Sequence, residues 1–165
     1  MKRENYISYD DLFMGIAKLA SERSKDPRSQ HGACIVNSET NRIISVGYNG
    51  LVKGLSDDGY KEEDYPPIFG ERIDYWDREL KQDYVSHAEE NAIFNANVDL
   101  KGSILYLYSE RGYPPCSKCA RAIVQNEIMS VVVNTLDKTP TNHYDWKATF
   151  HMFEMNDIKI RILNT

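Results

Sequence analysis

The sequence is short of most things that would send a chain to a specialised setting. It has three cysteines in 165 residues, an odd number, and Cys116 and Cys119 stand too close together to build a disulfide framework. Metal or redox chemistry is what remains for such a pair. No apolar run reaches the roughly 18 residues that a membrane-spanning helix needs. The opening residues Met1-Lys2-Arg3-Glu4-Asn5 lead into an acidic stretch, not into the apolar core of a secretion signal, so a cytoplasmic location is expected. An excess of positive charge is also missing: 20 Lys and Arg against 25 Asp and Glu leave a net charge of −5. Proteins that track DNA or RNA carry a basic face, which disfavours a nucleic-acid partner. A small anionic substrate needs only a few local cations. Neither an internal repeat nor a low-complexity tract is present.

What is present is ordinary globular material, 41% apolar and 27% charged, of a length that suits one domain over 1–165. Ser8 followed by Asp11 reads as a capping box, and Leu12, Phe13, Ile16, Ala17, Leu19 and Ala20 then recur at helical spacing. This helix is expected to end near Ser24, ahead of the breaker Lys25-Asp26-Pro27. Residues 33–36 and 43–46 read as two strands joined by a turn over 37–41. Residues 49–84 have no sustained period and are rich in Gly, Asp, Glu, Tyr and Pro. So long a tract in a compact domain is either functional or partly helical, around Ile73-Asp74-Tyr75-Trp76. Beyond it the pattern becomes regular, with a helix expected over 87–96, a strand over 104–108 and a helix over 116–125. A strand over 129–133, an aromatic helix holding Trp146, Phe150 and Phe153, and a last strand over 158–163 complete the chain. That order predicts an α/β fold in three layers, a mixed five-stranded sheet flanked by helices.

Two short motifs carry the chemistry: His87-Ala88-Glu89, and Pro115-Cys116-Ser117-Lys118-Cys119. The pair H-x-E and P-C-x-x-C is the known signature of zinc-dependent base deaminases. Zinc favours thiolate and imidazole ligands, and a catalytic site keeps three of them and leaves a place for water. His87, Cys116 and Cys119 supply that count. Apolar periodic residues follow each motif, and Pro115 is a residue type favoured in a first turn, so both motifs are expected at helix starts. There the helix dipoles favour thiolates over thiols. Glu89, two residues from His87, points away from the ligand direction and is expected to shuttle protons between water and substrate. A lone Cys-x-x-Cys also fits a structural zinc knuckle or a redox pair. The knuckle needs a second cysteine pair that Cys34 cannot supply, and the redox pair leaves His87 and Glu89 without a role. Cys34, among Ala33, Ile35 and Val36, reads as a buried core thiol.

Longer segments resemble the deoxycytidylate (dCMP) deaminase family. They are Arg23-Ser24-Lys25-Asp26-Pro27, Gly32-Ala33-Cys34-Ile35-Val36-Asn37, Gly47-Tyr48-Asn49-Gly50, Gly54, Ser56-Asp57-Asp58, and His87 through Ile93. The likeness runs over roughly residues 6–163. It implies a cytidine-deaminase-like fold, a homohexamer, and conversion of dCMP to dUMP for thymidylate synthesis. It also implies activation by dCTP and inhibition by dTTP, with magnesium accompanying the triphosphate. Asn49 matches the residue that holds the deoxyribose hydroxyl, and Ala88 stands beside it in the substrate set. Gly50, Lys53, Gly54, Asp57 and Asp58 match the effector region, where glycines permit close backbone approach and Asp57 and Asp58 could hold magnesium. Arg23, Ser24 and Lys25 are candidates for the substrate phosphate, and equally for a helix end that prefers cations. Departures from the family include His31 for Val, Leu55 for Cys, a longer segment over 108–115, and an aromatic, acidic tract before His87.

Three other functions share some of these residues. A polynucleotide deaminase would need a basic channel with stacking aromatics. A nucleoside or free-base deaminase would need no phosphate site. A non-catalytic zinc module would have no use for Glu89.

Overall fold

The computed structural model describes residues 2–58, 74–137, 139 and 146–163. Most of the acidic aromatic tract, including Ile73, lies outside the described residues. Helix α1 (Tyr9–Ser21) opens with the expected capping box. Ser8 Oγ accepts the Asp11 N–H at 3.1 Å, and Asp11 Oδ2 accepts the Ser8 N–H at 3.3 Å. The helix ends three residues before Ser24, because Arg23 and Ser24 fold into a turn that donates to the Ala20 and Ser21 carbonyls.

Strands β1 (His31–Asn37) and β2 (Ile43–Tyr48) form the expected antiparallel hairpin. A two-stranded ribbon follows, β3 (Gly50–Leu51) with β4 (Val85–Ser86), and between them lies the short helix α2 (Lys81–Tyr84). Of the tract's two readings, functional or partly helical, the helical part falls at α2, whereas Tyr75 and Trp76 are in a turn. The remaining order is α3 (Ala88–Asn95), β5 (Ser103–Ser109), α4 (Ser117–Gln125), β6 (Ser130–Val133), α5 (Lys147–Met155) and β7 (Lys159–Ile162). The main sheet runs β2-β1-β5-β6-β7. β1 is antiparallel to both neighbours, whereas β5, β6 and β7 are parallel, so the sheet is mixed as expected.

Strand alternation splits the core into two layers. Cys34, Val36, Tyr106 and Val132 face α1 through Phe13, Met14 and Ala17. Ala33, Ile35, Leu105, Leu107, Val131 and Val133 face the other side, where Ala88, Ala92, Ala120, Ile123 and Phe153 cover them. The fully buried residues include Ile35, Leu105, Ile123 and Phe153, each contributing about 1.5–3 kcal/mol by leaving water. Two polar ties fix the edges. Asn91 and Asn95 of α3 donate their amides to the Tyr48 and Val46 carbonyls of β2 at 2.8 and 3.0 Å. Arg161 of β7 makes two hydrogen bonds, 2.8 and 2.9 Å, to the carboxylate of Asp10.

Two glycines set how closely helices approach the sheet. A Cβ on Gly47 would lie 2.3 Å from the Ala92 nitrogen and 2.4 Å from the Ala88 carbonyl, so α3 rests directly on β2. A Cβ on Gly32 would lie 1.8 Å from the Ala17 carbonyl oxygen and 2.6 Å from the Ser21 nitrogen. Both obstacles are main chain and cannot swing aside. Gly32→Ala is therefore expected to lose about 3 kcal/mol or more of stability in denaturant titration. Gly15→Ala is the control: nothing lies within 4 Å of that Cβ, and a helix interior gains about 0.5–1 kcal/mol from Ala. Equal stability of the two variants would refute this packing account.

Candidate active site

The close seat of α3 on β2 fixes the first functional side chain. His87 is the N-cap of α3 and Cys116 the N-cap of α4, so both ligands leave the chain where it turns from extended to helical. Pro115 consequently precedes the cap and is not the first helical residue. Its carbonyl accepts the Thr149 hydroxyl at 2.9 Å, which ties the cysteine loop to α5. Cys119 lies one turn further into α4.

His87 Nδ1 is 3.4 Å from the sulfur of Cys116 and 3.4 Å from that of Cys119. The three ligand atoms all lie within 4.8 Å of one another. Tetrahedral zinc, with bonds of about 2.0–2.1 Å to nitrogen and 2.3 Å to sulfur, sets N and S about 3.5 Å apart. The donor types and the N–S spacing therefore fit zinc. Protons are shared unevenly in this trio. The hydrogen bond from Cys119 brings the Cys116 thiol down to about 4, and the same bond with burial drives Cys119 up. Burial works against a charged His87, yet its contacts with Cys116 and Glu89 raise it overall.

Glu89, in the first turn of α3, is 5% exposed. Burial, partly offset by the positive field of His87, moves its carboxyl up to about 7. A carboxyl that changes charge near neutrality suits proton transfer. Glu90 turns the opposite way. Its carboxylate accepts the His87 N–H at 3.2 Å and stands 3.3 Å from Lys118 Nζ, linking the two helices that carry the ligands. Tyr113 and Trp146 pack on the cysteines with ring centroids 5.5 Å apart.

His87, Ala88, Glu89 and Cys116 line one cleft of about 690 Å³. Asn49, 3% exposed, lines the same cleft. So does His31, whose imidazole is held down to about 4, first by burial and then by the charges of His87 and Lys81. Three exposed arginines, Arg28, Arg78 and Arg111, bring positive charge to the wall.

The structure separates other candidates from this cleft. Arg23, Ser24 and Lys25 are not among its lining residues. Arg23 lies over the Tyr48 ring at 5.9 Å, and the Ser24 hydroxyl donates to the Asn49 carbonyl at 2.8 Å. Lys25 is ion-paired with Asp57. Arg23 and Lys25 are exposed at the end of α1 and stand outside this cleft, whose wall carries Arg28, Arg78 and Arg111 instead. Gly50 is in β3, Lys53 and Gly54 form an exposed turn with Gly54 at φ +97, and Asp58 is exposed. Asp57 has Lys25 as its ion partner, and its carbonyl accepts the Trp76 indole N–H at 3.0 Å. Cys34 is fully buried on the α1 side, where burial pushes its thiol up to about 12.

Several residues escaped the sequence reading. Glu90 had a legible signal, since Glu three residues after a helix cap is the capping-box position. Asp26 was read as part of a breaker, although Asp before Pro is also a turn-forming side chain. Lys81 and the three arginines stand in stretches without periodicity, and nothing local marks them.

Residues 7–135 match the family described as the cytidine and deoxycytidylate deaminase zinc-binding region. Deoxycytidylate deaminases of Homo sapiens and Mus musculus are each 42% identical over 132 residues, spanning 79% of this chain and 67% of theirs. A probable deoxycytidylate deaminase of Drosophila melanogaster is 40% identical over 139 residues, spanning 79% of this chain and 61% of its own. The fold resembles that of a dCMP deaminase from the cyanophage S-TIM5, solved in complex with dCMP and dUMP. The TM-score is 0.65 at 18% identity, over 96% of this chain and 100% of that one. With a matching family region that contains the His87, Cys116 and Cys119 trio, this chain belongs to the cytidine and deoxycytidylate deaminase family.

Proposed function

We propose that this chain is a zinc enzyme that hydrolytically deaminates dCMP to dUMP, releasing ammonia and supplying dUMP for thymidylate synthesis. The observation that carries this reading is one cleft lined by His87, Cys116, a buried Glu89 and three arginines, with Cys119 completing the trio just behind its wall. The 42% identity with deoxycytidylate deaminases supports the choice of nucleotide.

His87 Nδ1 and the sulfurs of Cys116 and Cys119 would hold the zinc. Bound there, zinc supplies Lewis acidity that brings the pKa of water to about 7. The N-termini of α3 and α4 favour the anionic ligands from behind. Glu89 takes a proton from the attacking water and gives it to N3 of the cytosine ring, which makes C4 the electrophile. A second proton, passed through the same carboxylate, leaves on the departing N4 amine. The balance is dCMP plus water giving dUMP plus ammonia. Arg28, Arg78 and Arg111 meet the phosphate, and Asn49 meets the sugar.

The family likeness further supports a homohexamer in the cytoplasm, activated by dCTP and inhibited by dTTP with magnesium. Gly50, Lys53, Gly54, Asp57 and Asp58 are the proposed effector contacts. The Lys25–Asp57 pair then has to open, or Asp58 has to carry the metal contact alone.

Ammonia release measured with dCMP, cytidine, dCTP and a cytosine oligonucleotide tests the substrate. dCMP is expected to have the highest kcat/KM, and dTTP is expected to raise the dCMP concentration needed for half-maximal rate. Faster turnover of the oligonucleotide or of cytidine would overturn the assignment. A rate curve unmoved by millimolar dTTP and dCTP with magnesium would remove the effector site.

A further inference from the structure

Behind the cleft wall, the side chain of Asn49 is held by a buried carboxylate. Asp26 is 2% exposed, and both its oxygens are engaged. Oδ1 accepts the Arg28 N–H at 2.9 Å and the Ser29 N–H at 3.2 Å. Oδ2 accepts the Asn49 amide at 3.2 Å and is ion-paired with Lys81. Lys81, at 12% side-chain exposure, also reaches the Ser29 hydroxyl at 3.3 Å. This pairing compensates the carboxylate where water is excluded, and a buried charge stripped of its partner is costly.

The consequence falls on Asn49. Its Nδ2 has two hydrogens, and both are committed: one to Asp26 Oδ2, the other to the Ser29 carbonyl at 2.9 Å. Both partners only accept, so the amide nitrogen must face them and the amide cannot be flipped. The oxygen Oδ1 accepts the His31 N–H at 2.8 Å, which uses one of its two acceptor positions. The main chain of Asn49 is fixed as well, by its N–H to the His31 carbonyl at 3.3 Å and by the Ser24 hydroxyl at 2.8 Å on its carbonyl. What this side chain can offer the cleft is one oriented acceptor. The matching substrate group is a donor.

We propose that Asp26, with Lys81 as its counter-ion, is a positioning residue that locks the Asn49 amide so that its oxygen reads a sugar hydroxyl of the nucleotide. The inference rests on the deoxynucleotide reading of the cleft. It gives the tract before His87 a role, since Lys81 comes from that tract and completes the lock. Asp26 does not line the cleft and acts through Asn49; Lys81 reaches the cleft wall as well as closing the lock.

The test compares dCMP with 2′,3′-dideoxy-CMP, which keeps the base and phosphate but lacks the 3′-hydroxyl. The zinc-loaded full chain is expected to favour dCMP in kcat/KM by about tenfold or more, the worth of a hydrogen bond whose buried partner is left unpaired. Asn49→Ala should bring that ratio close to one. Asp26→Asn should do the same, raising KM for dCMP while leaving KM for the dideoxy nucleotide nearly unmoved. A residue that merely supported the fold would lower both substrates alike. Lys81→Met should shrink the ratio and Lys81→Arg should keep it, and this pair decides the matter if Asp26→Asn does not fold. Wild type that turns over both nucleotides equally would defeat the sugar reading of Asn49. Wild type that discriminates, Asn49→Ala that does not, and Asp26→Asn or Lys81→Met that still do would overturn the lock alone.

Discussion

Glu89→Gln is expected to keep about one zinc per chain while dCMP turnover falls by about 10²–10⁴-fold, the usual contribution of a positioned proton-transfer group. The amide has the shape of the carboxylate and fills the same buried place in the first turn of α3. It has no basic oxygen to take a proton from water, and none to hand on to N3 or to the departing amine. Burial pushes the native carboxyl upward, which favours its taking up a proton. That capacity is what the substitution removes. Metal analysis and a single-turnover rate separate the two readouts. A variant that turns over normally would eliminate Glu89 as the proton carrier, and one that has lost its zinc would make Glu89 a ligand.

Cys119→Ala should act differently, by costing the metal first. Two donors, His87 and Cys116, remain, and neither can close a site that needs three protein ligands. Zinc content is expected to fall well below one per chain after dialysis, and activity by about 10⁴-fold or more. Stability should drop too, because Cys119 is fully buried against Trp146 and its loss leaves space behind the cleft. Cys34→Ala is the matched control, a buried thiol removed from the opposite face of the sheet. It should retain zinc and turnover. If Cys119→Ala binds zinc as tightly as Cys34→Ala does, the three-ligand centre is wrong.

The centre of the site was legible because its chemistry is local. A cap residue, its helix and the residue two places on are fixed by a few consecutive positions, which is why His87, Glu89, Cys116 and Cys119 could be read without a fold. The sheet was legible for a related reason. Residues 33–36 and 104–108 alternate between two buried faces, and apolar runs bounded by turns mark such strands. The rest depended on contacts far apart in the chain. β3 and β4 are two residues each, too short to carry a period. The direction of Arg23 and Lys25 was invisible, since a cation at a helix end looks the same whether it faces a cleft or, like Lys25, an aspartate 32 residues later. Asp26 looked like punctuation because its partners, Asn49 and Lys81, are set by the tertiary fold.

An open sheet has two rims, and each is a template on which a foreign strand can grow. Here the rims are β2 and β7. β7 is four residues long and alternates Lys159 and Arg161 with Ile160 and Ile162, with Arg161 held by Asp10. A strand arriving there would meet two cations and little length over which to zip. On the other rim, the Val46 and Tyr48 carbonyls already accept amides from Asn95 and Asn91, and Ser45 is tied to the Ala92 carbonyl at 2.7 Å. Substituting those asparagines would unmask the rim without touching the cleft, and the damage would show as aggregation on storage or heating before it showed as lost turnover. The helix that brings His87 and Glu89 to the cleft is, on its other side, what keeps the sheet from recruiting a neighbour.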